Sequence, residues 1–496
     1  MLALGLPVLA SSQALYSPKN IALGGGGTTY VTGYESLFIN PANIRIRDKE
    51  ARIQFSILQA GGYTDTPFRI NDPQDRLTFL EDRFTPFVPG TQMVGADDRG
   101  EILDRFYNSD RLSAEFLTAS EIHWFGVSWF RENRSYALAL RTRTFSRSRV
   151  GRGFYDASPI SIDGLERIDQ SLTHRYQTLH ELSFGYARSF SFLSGLFPQL
   201  SDFIIGIAPK VVVSGPMLDM EYRNRYDRPA GDPLWQRTES FETSASGAFS
   251  ESARQMMSTG DPAMSTAGAF GFNEMFTPSG IGAGLDIGIT YLATFGRDLS
   301  AVRPGEETTE RSLRLSFSLT DLGAIQLYDN PFQTEIVRDT TITTVAPPVS
   351  SVFFGGSPAE DLFFLSQSGP HPLQRVQSSS SGNYQMLLPT AFNMGALFQL
   401  NRIKLTGDFR VGITDNAFIT PKFKTFVGAE IRPLPFWPLR AGTRFATNLP
   451  GYYSLGSGIE TRYFDLSAAI QFRTDSGEPT LEPVGAAAVA IKVYIP

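Results

Sequence analysis

Residues 312–320 read "SLRLSFSLT", and the alternation in that stretch decides the fold. Leu313, Leu315, Phe317 and Leu319 point one way; Arg314, Ser316, Ser318 and Thr320 point the other. Successive side chains of a β-strand leave opposite faces, so a period of two marks a strand lying between two different environments. "RIKLTGDFRV" repeats the pattern, with Ile403, Leu405, Phe409 and Val411 opposite Lys404, Thr406, Asp408 and Arg410. "YFDLSAAIQFR" sets Phe464, Leu466, Ala468, Ile470 and Phe472 against Asp465, Ser467, Ala469, Gln471 and Arg473. In "SYALALRTR", Tyr136, Leu138 and Leu140 oppose Ala137, Ala139, Arg141 and Arg143. The closing "AAAVAIKVYI" opposes Val489, Ile491, Val493 and Ile495 to Ala488, Ala490, Lys492 and Tyr494.

Further strands are expected near 51–60, 121–130, 177–190, 203–214, 281–293, 334–346, 388–400, 423–432, 439–448 and 452–461. These make about fifteen candidates, and closed bacterial barrels take an even number. The expected fold is therefore all-β: a transmembrane outer-membrane β-barrel of about 14 antiparallel strands. A soluble secreted β-protein would also alternate. It would not need so many strands with aliphatic and Phe side chains on one face and full charges on the other. A membrane barrel does, because lipid bathes one face and water or ligand the other.

Composition agrees. Of 496 residues, 42% are hydrophobic and only 19% charged, with 39 Phe. No stretch reaches the ~18 apolar residues of a membrane helix. The formal charge of −6 and the lack of a basic tract argue against nucleic acid as a partner. Cysteine is absent, which removes disulfides and thiolate metal sites. "MLALGLPVLASSQA" (1–14) reads as the apolar part of a signal peptide, with Ser12 and Ala14 at the cleavage positions. It has no basic residues ahead of it, so the true start is expected upstream; a buried N-terminal strand is the alternative.

The expected organisation is an N-terminal hatch over 15–50, then a barrel over 51–496. The barrel would carry a partly helical insertion at 71–118, with Ile102, Leu103, Phe106 and Leu112 at helical spacing. Long loops are expected at 215–280, which is small and polar, and at 347–386. "RENR" (131–134) and Asn401–Arg402 read as tight turns on the opposite rim.

The hatch assignment rests on "ALGGGGTTYVTGYESLFINPANI" (22–44). A phosphate-binding loop would need a Lys after its last Gly and a helix behind it; Thr28, Thr29, Tyr30 and Val31 follow instead. Asn40 and Pro41 form a helix start, with Asn as N-cap and Pro as first helical residue. Behind a signal-like segment and ahead of strands, this stretch resembles the N-terminal hatch of the long-chain fatty-acid outer-membrane transporter family. "GIAPKVVVSGP" (206–216), "GIGAGLDIGITYL" (280–292), "FSLTDLGAI" (317–325), "LPTAFNMGALFQL" (388–400) and "PLRAGTRF" (438–445) are similar to later strands of such barrels. The pattern is most similar to the branch related to the type IX secretion shuttle and gliding-associated barrels. The resemblance implies that Gly24, Gly25, Gly26, Gly27, Asn40 and Pro41 lie inside the lumen. It also implies that a hydrophobic or amphipathic small molecule is bound or passed through a hatch-gated barrel. The alternative is a structural or adaptor barrel that docks secretion-system or surface-protein partners through its long loops. One departure stands out: such barrels usually finish on an aromatic residue, whereas this chain ends Tyr494-Ile495-Pro496.

No catalytic, cofactor or metal constellation is expected. Two of the four histidines, His174 and His180, share a strand face but stand six residues apart, about 20 Å at ~3.3 Å per residue. His123 and His371 add no ligand spacing. "GYYSLGSG" around Ser454 lacks the spacing of a nucleophile elbow. Asp286 and Asp321 read as carboxylates that cap backbone N–H groups. The strand phases point Arg141, Arg143, Arg314, Lys404, Arg410, Lys424, Arg432, Arg440, Arg444, Arg473 and Lys492 inward, with Asp408, Glu430 and Asp465 as acidic company. Arg141, Arg143, Arg314, Arg410, Arg440 and Arg444 are accordingly the ligand-binding candidates, able to grip an anionic head group with paired hydrogen bonds. Cross-strand pairs such as Arg410 with Glu430, or anchors near strand ends, are the plainer alternative.

Overall fold

The computed structural model describes residues 16–47, 49, 51–65, 103, 107, 112–131, 133–154, 156, 158–190, 200–250, 274–295, 311–329, 331–338, 342–344, 373–379, 384–446, 452–473 and 486–495. Fourteen strands form the wall. They are β1 (Ile53–Asp65), β2 (Ser113–Phe130), β3 (Arg134–Gly151), β4 (Leu172–Phe190), β5 (Leu200–Pro229), β6 (Gly280–Phe295) and β7 (Arg311–Leu327). After them come β8 (Ala391–Leu400), β9 (Ile403–Gly412), β10 (Phe423–Leu434), β11 (Trp437–Ala446), β12 (Tyr452–Glu460), β13 (Phe464–Arg473) and β14 (Ala486–Ile495). Each pairs antiparallel with the next. Strand β14 returns to β1, with Ile495 opposite Ile53, and the sheet closes.

Closure leaves the wall without an edge, so its backbone groups are satisfied by neighbours, as lipid demands. The outward face is apolar. Leu405 is 52% exposed and Phe317 46%, while Arg314, next but two to Phe317 and facing inward, is fully buried. This is a transmembrane barrel of the outer-membrane type. One rim carries short turns at 401–402, 435–436 and 461–463; the longest connections leave from the other.

Three expectations change. The strand expected at 334–346 is not part of the wall. Phe332–Arg338 and Ile342–Thr344 pair with Trp235–Ser246, which pairs with the far end of β5. Together they make a ledge beyond the long-connection rim, which accounts for the fifteenth candidate strand. The segment 215–280 is not a plain loop over its described part, because β5 runs on to Pro229 and Trp235–Ser246 folds back on it. Aromatic Tyr222, Tyr226 and Trp235 supply the burial there that the small-residue composition concealed. Within 347–386, Leu373–Ser379 and Tyr384–Leu387 are strands. Residues 113–118 open β2; the helical reading before them, the signal reading of 1–14 and His371 lie outside the described residues, isolated positions excepted.

Residues 16–46 fill the lumen, and all but Lys19 are buried. Helix α1 (Pro18–Ala22) starts on a proline that pre-sets its first turn. The chain then reverses through the glycine run, where φ is +92° at Gly24, +104° at Gly25 and +83° at Gly27, a left-handed region that L side chains avoid. Two 3₁₀ helices follow, Gly33–Phe38 and Pro41–Arg45. The second is capped as expected: the Asn40 side chain accepts from the Ala42 N–H.

Placing a charge on the lipid face tests the assignment of faces. Leu405→Arg is expected to destabilise the barrel by ~2–4 kcal/mol, the range for a cation at mid-membrane. Guanidinium unfolding in lipid vesicles measures it, and a curve like that of the parent would contradict the outward placement of Leu405.

Candidate functional site

The N-terminal segment meets the wall across clearances made by wall glycines. A Cβ on Gly206 of β5 would collide with the Pro41 backbone, and one on Gly288 of β6 with the Asn40 side chain. Gly442 of β11 admits Leu23 and Gly24, and Gly456 of β12 admits Ala22. Polar contacts fix the register. The Asn40 amide donates to Thr290 Oγ1 at 2.9 Å and to the Thr28 carbonyl at 3.1 Å. Thr290 donates in turn to Asn43 Oδ1 at 2.8 Å, and the Asn43 amide returns to Thr28 O at 2.9 Å. Ser318 donates to the Ile39 carbonyl at 2.5 Å, Arg314 donates to the Thr29 carbonyl, and Lys492 pairs with Glu35 at 2.5 Å.

Beside this seat lies a buried ion cluster contributed by β2 to β7. Arg141 binds Glu181 at 2.9 Å and Glu121 at 3.3 Å, and Glu121 also meets His123 at 2.6 Å. Arg143 holds Asp321 through two parallel contacts of 2.9 and 3.2 Å and reaches Glu181 as well. Lys210 closes the ring on Asp286 at 2.8 Å and Asp321 at 2.5 Å. Asp321 sits at φ +58° in a bulge of β7, and its N–H donates to Asp286 at 2.5 Å. Burying this many charges is tolerable because each has opposite partners; removing one partner leaves the others uncompensated. The cluster touches the segment at Phe38, whose ring lies 3.8 Å beneath the Arg141 guanidinium.

Residues 80–460 match the model of a family described as of unknown function, DUF5723. The chain belongs to that family. No curated protein matches it. Among solved structures it is similar to the toluene transporter TbuX of Ralstonia pickettii, with 10% identity and a TM-score of 0.41 over 97% of this chain and 99% of that one. It is similar also to the toluene transporter TodX of P. putida, with 10% identity and a TM-score of 0.38 over 97% of each chain. A third is the CymD monoaromatic hydrocarbon channel, with 11% identity and a TM-score of 0.40 over 98% and 99%.

In this DUF5723 barrel the six candidate arginines do not converge on one place. Arg141 and Arg143 belong to the ion cluster, and Arg314 binds the segment. Arg410 donates to Asn393 at 3.3 Å, Arg440 binds Glu430 at 2.6 Å together with Glu460, and Arg444 stacks 4.1 Å over Tyr452. The expected pair of Arg410 with Glu430 does not form, because Arg410 lies opposite Lys424 and Glu430 opposite Lys404 and Arg440. Lys404, Lys424, Arg432 and Lys492 face inward as well, and Asp408 lies under Gly26 and Thr29. The count of three acidic neighbours was too low: Glu121, Glu181, Asp286, Asp321 and Glu460 are further inward carboxylates. Arginines awaiting an anionic head group are thus replaced, at Arg141, Arg143 and Arg440, by arginines held by carboxylates. Asp286 does cap a backbone N–H and binds Lys210 besides. His174 meets Ser148 at 2.7 Å and His180 meets Thr142 at 2.8 Å, so each has its own partner. Among the described residues no three His, Cys, Asp or Glu side chains group as a metal site would require.

Two substitutions separate the cluster from the seat. Glu181→Gln leaves Arg141 and Arg143 short of a buried partner and is expected to cost ~3–5 kcal/mol, read from the denaturation midpoint in detergent. Gly288→Val is expected to displace the Asn40 turn while the wall stays intact. Limited proteolysis should then cut within residues 16–46 of a protein that keeps its heat-modifiable gel mobility; unchanged protection would refute the seat.

Proposed function

We propose that this barrel binds or passes a hydrophobic or amphipathic small molecule, with residues 16–46 as its gate. One observation carries the proposal: the filling segment is a body of its own, seated on the wall and not woven into it. Its backbone-to-backbone hydrogen bonds close internally, as in Val31 N to Gly27 O and Asn40 N to Ser36 O. It meets the wall through side chains and glycine clearances, which can be given up without tearing a strand ladder. Under it the wall offers an apolar strip of Ala137, Ala139, Ala187, Ile204 and Ala208, packed by Tyr34, Leu37, Phe38 and Ile44. The ion cluster borders that strip. An apolar body with a polar end complements both surfaces, and nothing in this mode of action calls for catalysis.

A second reading, a structural or adaptor barrel, is favoured by the ledge that β5 and its partner strands build beyond the long-connection rim. Secretion-system or surface proteins would be its partners, and kinship with the type IX-related barrels would accompany it. Deleting residues 15–45 distinguishes the two. The gate reading expects a folded, heat-modifiable barrel whose conductance in planar bilayers exceeds that of the intact protein. A folded barrel that stays closed would put the adaptor first, and loss of folding would make the segment part of the core.

A further inference from the structure

A cavity of about 290 Å³ opens at the short-turn rim, where the N-terminal segment and the wall meet. Lys19 of α1 and Lys49 of the linker to β1 line one side, with Arg402, Lys404, Arg432 and Lys492 of the wall around them. Glu460 and Asp465 are its carboxylates. Glu430 stands behind, between Arg432 and Arg440, and Glu35 holds Lys492. Counting those neighbours, seven cations confront four carboxylates, a surplus of three positive charges around one small cavity. Pro18, Pro435, Ala490 and Tyr494 give it low-polarity walls, which strengthen the field inside. The protein as a whole is acidic, so this concentration is local and set by the fold.

We propose that this cavity is a binding site for a phosphate group, held between Lys19 of the segment, Lys49 of the linker and the cations of the wall. A surplus of three exceeds what one carboxylate would neutralise and suits a dianion. Arg432 is held by Glu430, Glu460 and the Pro435 carbonyl, Lys49 by Asp465 and Lys492 by Glu35. Arg402 at the turn supplies a planar guanidinium, and Lys19 and Lys404 supply point charges, the two donor types that bind phosphate oxygens. The donors come from both bodies, so an occupant would fasten the segment to the wall at this rim. The site shares Lys19 with the gate proposed above, but its test has no transport readout.

The same phosphate chemistry can come from a free anion or from a lipid head group at the inner leaflet. Titrating inorganic phosphate calorimetrically into the full-length barrel in a non-ionic detergent tests the first source. Saturable binding of one phosphate per chain is expected, weakening as salt screens the charges. Lys19→Gln with Lys404→Gln is expected to lower the affinity about tenfold or more, as loss of charged hydrogen bonds does, with heat-modifiable mobility unchanged. Native mass spectrometry in nanodiscs doped with phosphatidylglycerol tests the second. Retention of that lipid by the parent and its loss from the double variant would support the site with the membrane as source. Binding of neither probe, or equal binding by parent and variant, overturns the proposal. Should the double variant fail to fold, Arg402→Gln, at an exposed turn, serves in its place with the same two outcomes.

Discussion

Everything in this molecule follows from the cost of an unsatisfied backbone amide in hydrocarbon. A sheet that must satisfy its amides without water has to close, and closure gives every strand two faces with opposite demands. Leu315 and Leu405 face lipid; Arg314 and Asp408 face the lumen. The lumen of a fourteen-strand wall is too wide for wall side chains alone to fill, so another body can occupy it. Residues 16–46 do so, and the polar inward face becomes a set of partners for their carbonyls and amides.

The segment and the wall are consequently complementary in two currencies, shape and charge. Shape is supplied by glycines on both sides, so that backbone approaches backbone at Gly206 and Gly442. Charge is supplied by Lys492 against Glu35 and by Arg141, the edge of the wall's own ion cluster, over the Phe38 ring. Buried ion networks contribute little net stability compared with apolar packing of the same volume, but they penalise any arrangement that separates their members. The cluster spans β2 to β7, so it also ties together the register of neighbouring wall strands.

Much of this was legible in the sequence. Alternation alone placed a candidate on each of the fourteen wall strands, and the inward phases of β3, β7, β9, β13 and β14 were readable residue by residue. Glu181 and Lys210 obey the same rule, opposite Leu182 and Val211, so they were within reach once their strands were phased. Asp321 was not. By strict alternation from Leu319 it would face lipid; the bulge between Leu319 and Leu322 turns it inward, and a bulge changes phase without changing composition. The place of Phe332–Arg338 was hidden for a related reason. A strand in a ledge and a strand in a wall have the same local pattern, and only pairing distinguishes them.

The glycine seats around Asn40 and Leu23 have a thermodynamic corollary. Whatever enters the lumen at those seats competes with a ligand that is covalently attached and therefore never diluted. Its apparent affinity is its intrinsic affinity scaled by the fraction of molecules in which the segment has already let go. A tightly seated barrel would look like a poor binder even if its lumen fitted the molecule well. Substitutions at these glycines would then shift apparent affinity through the segment's hold as well as through direct contact.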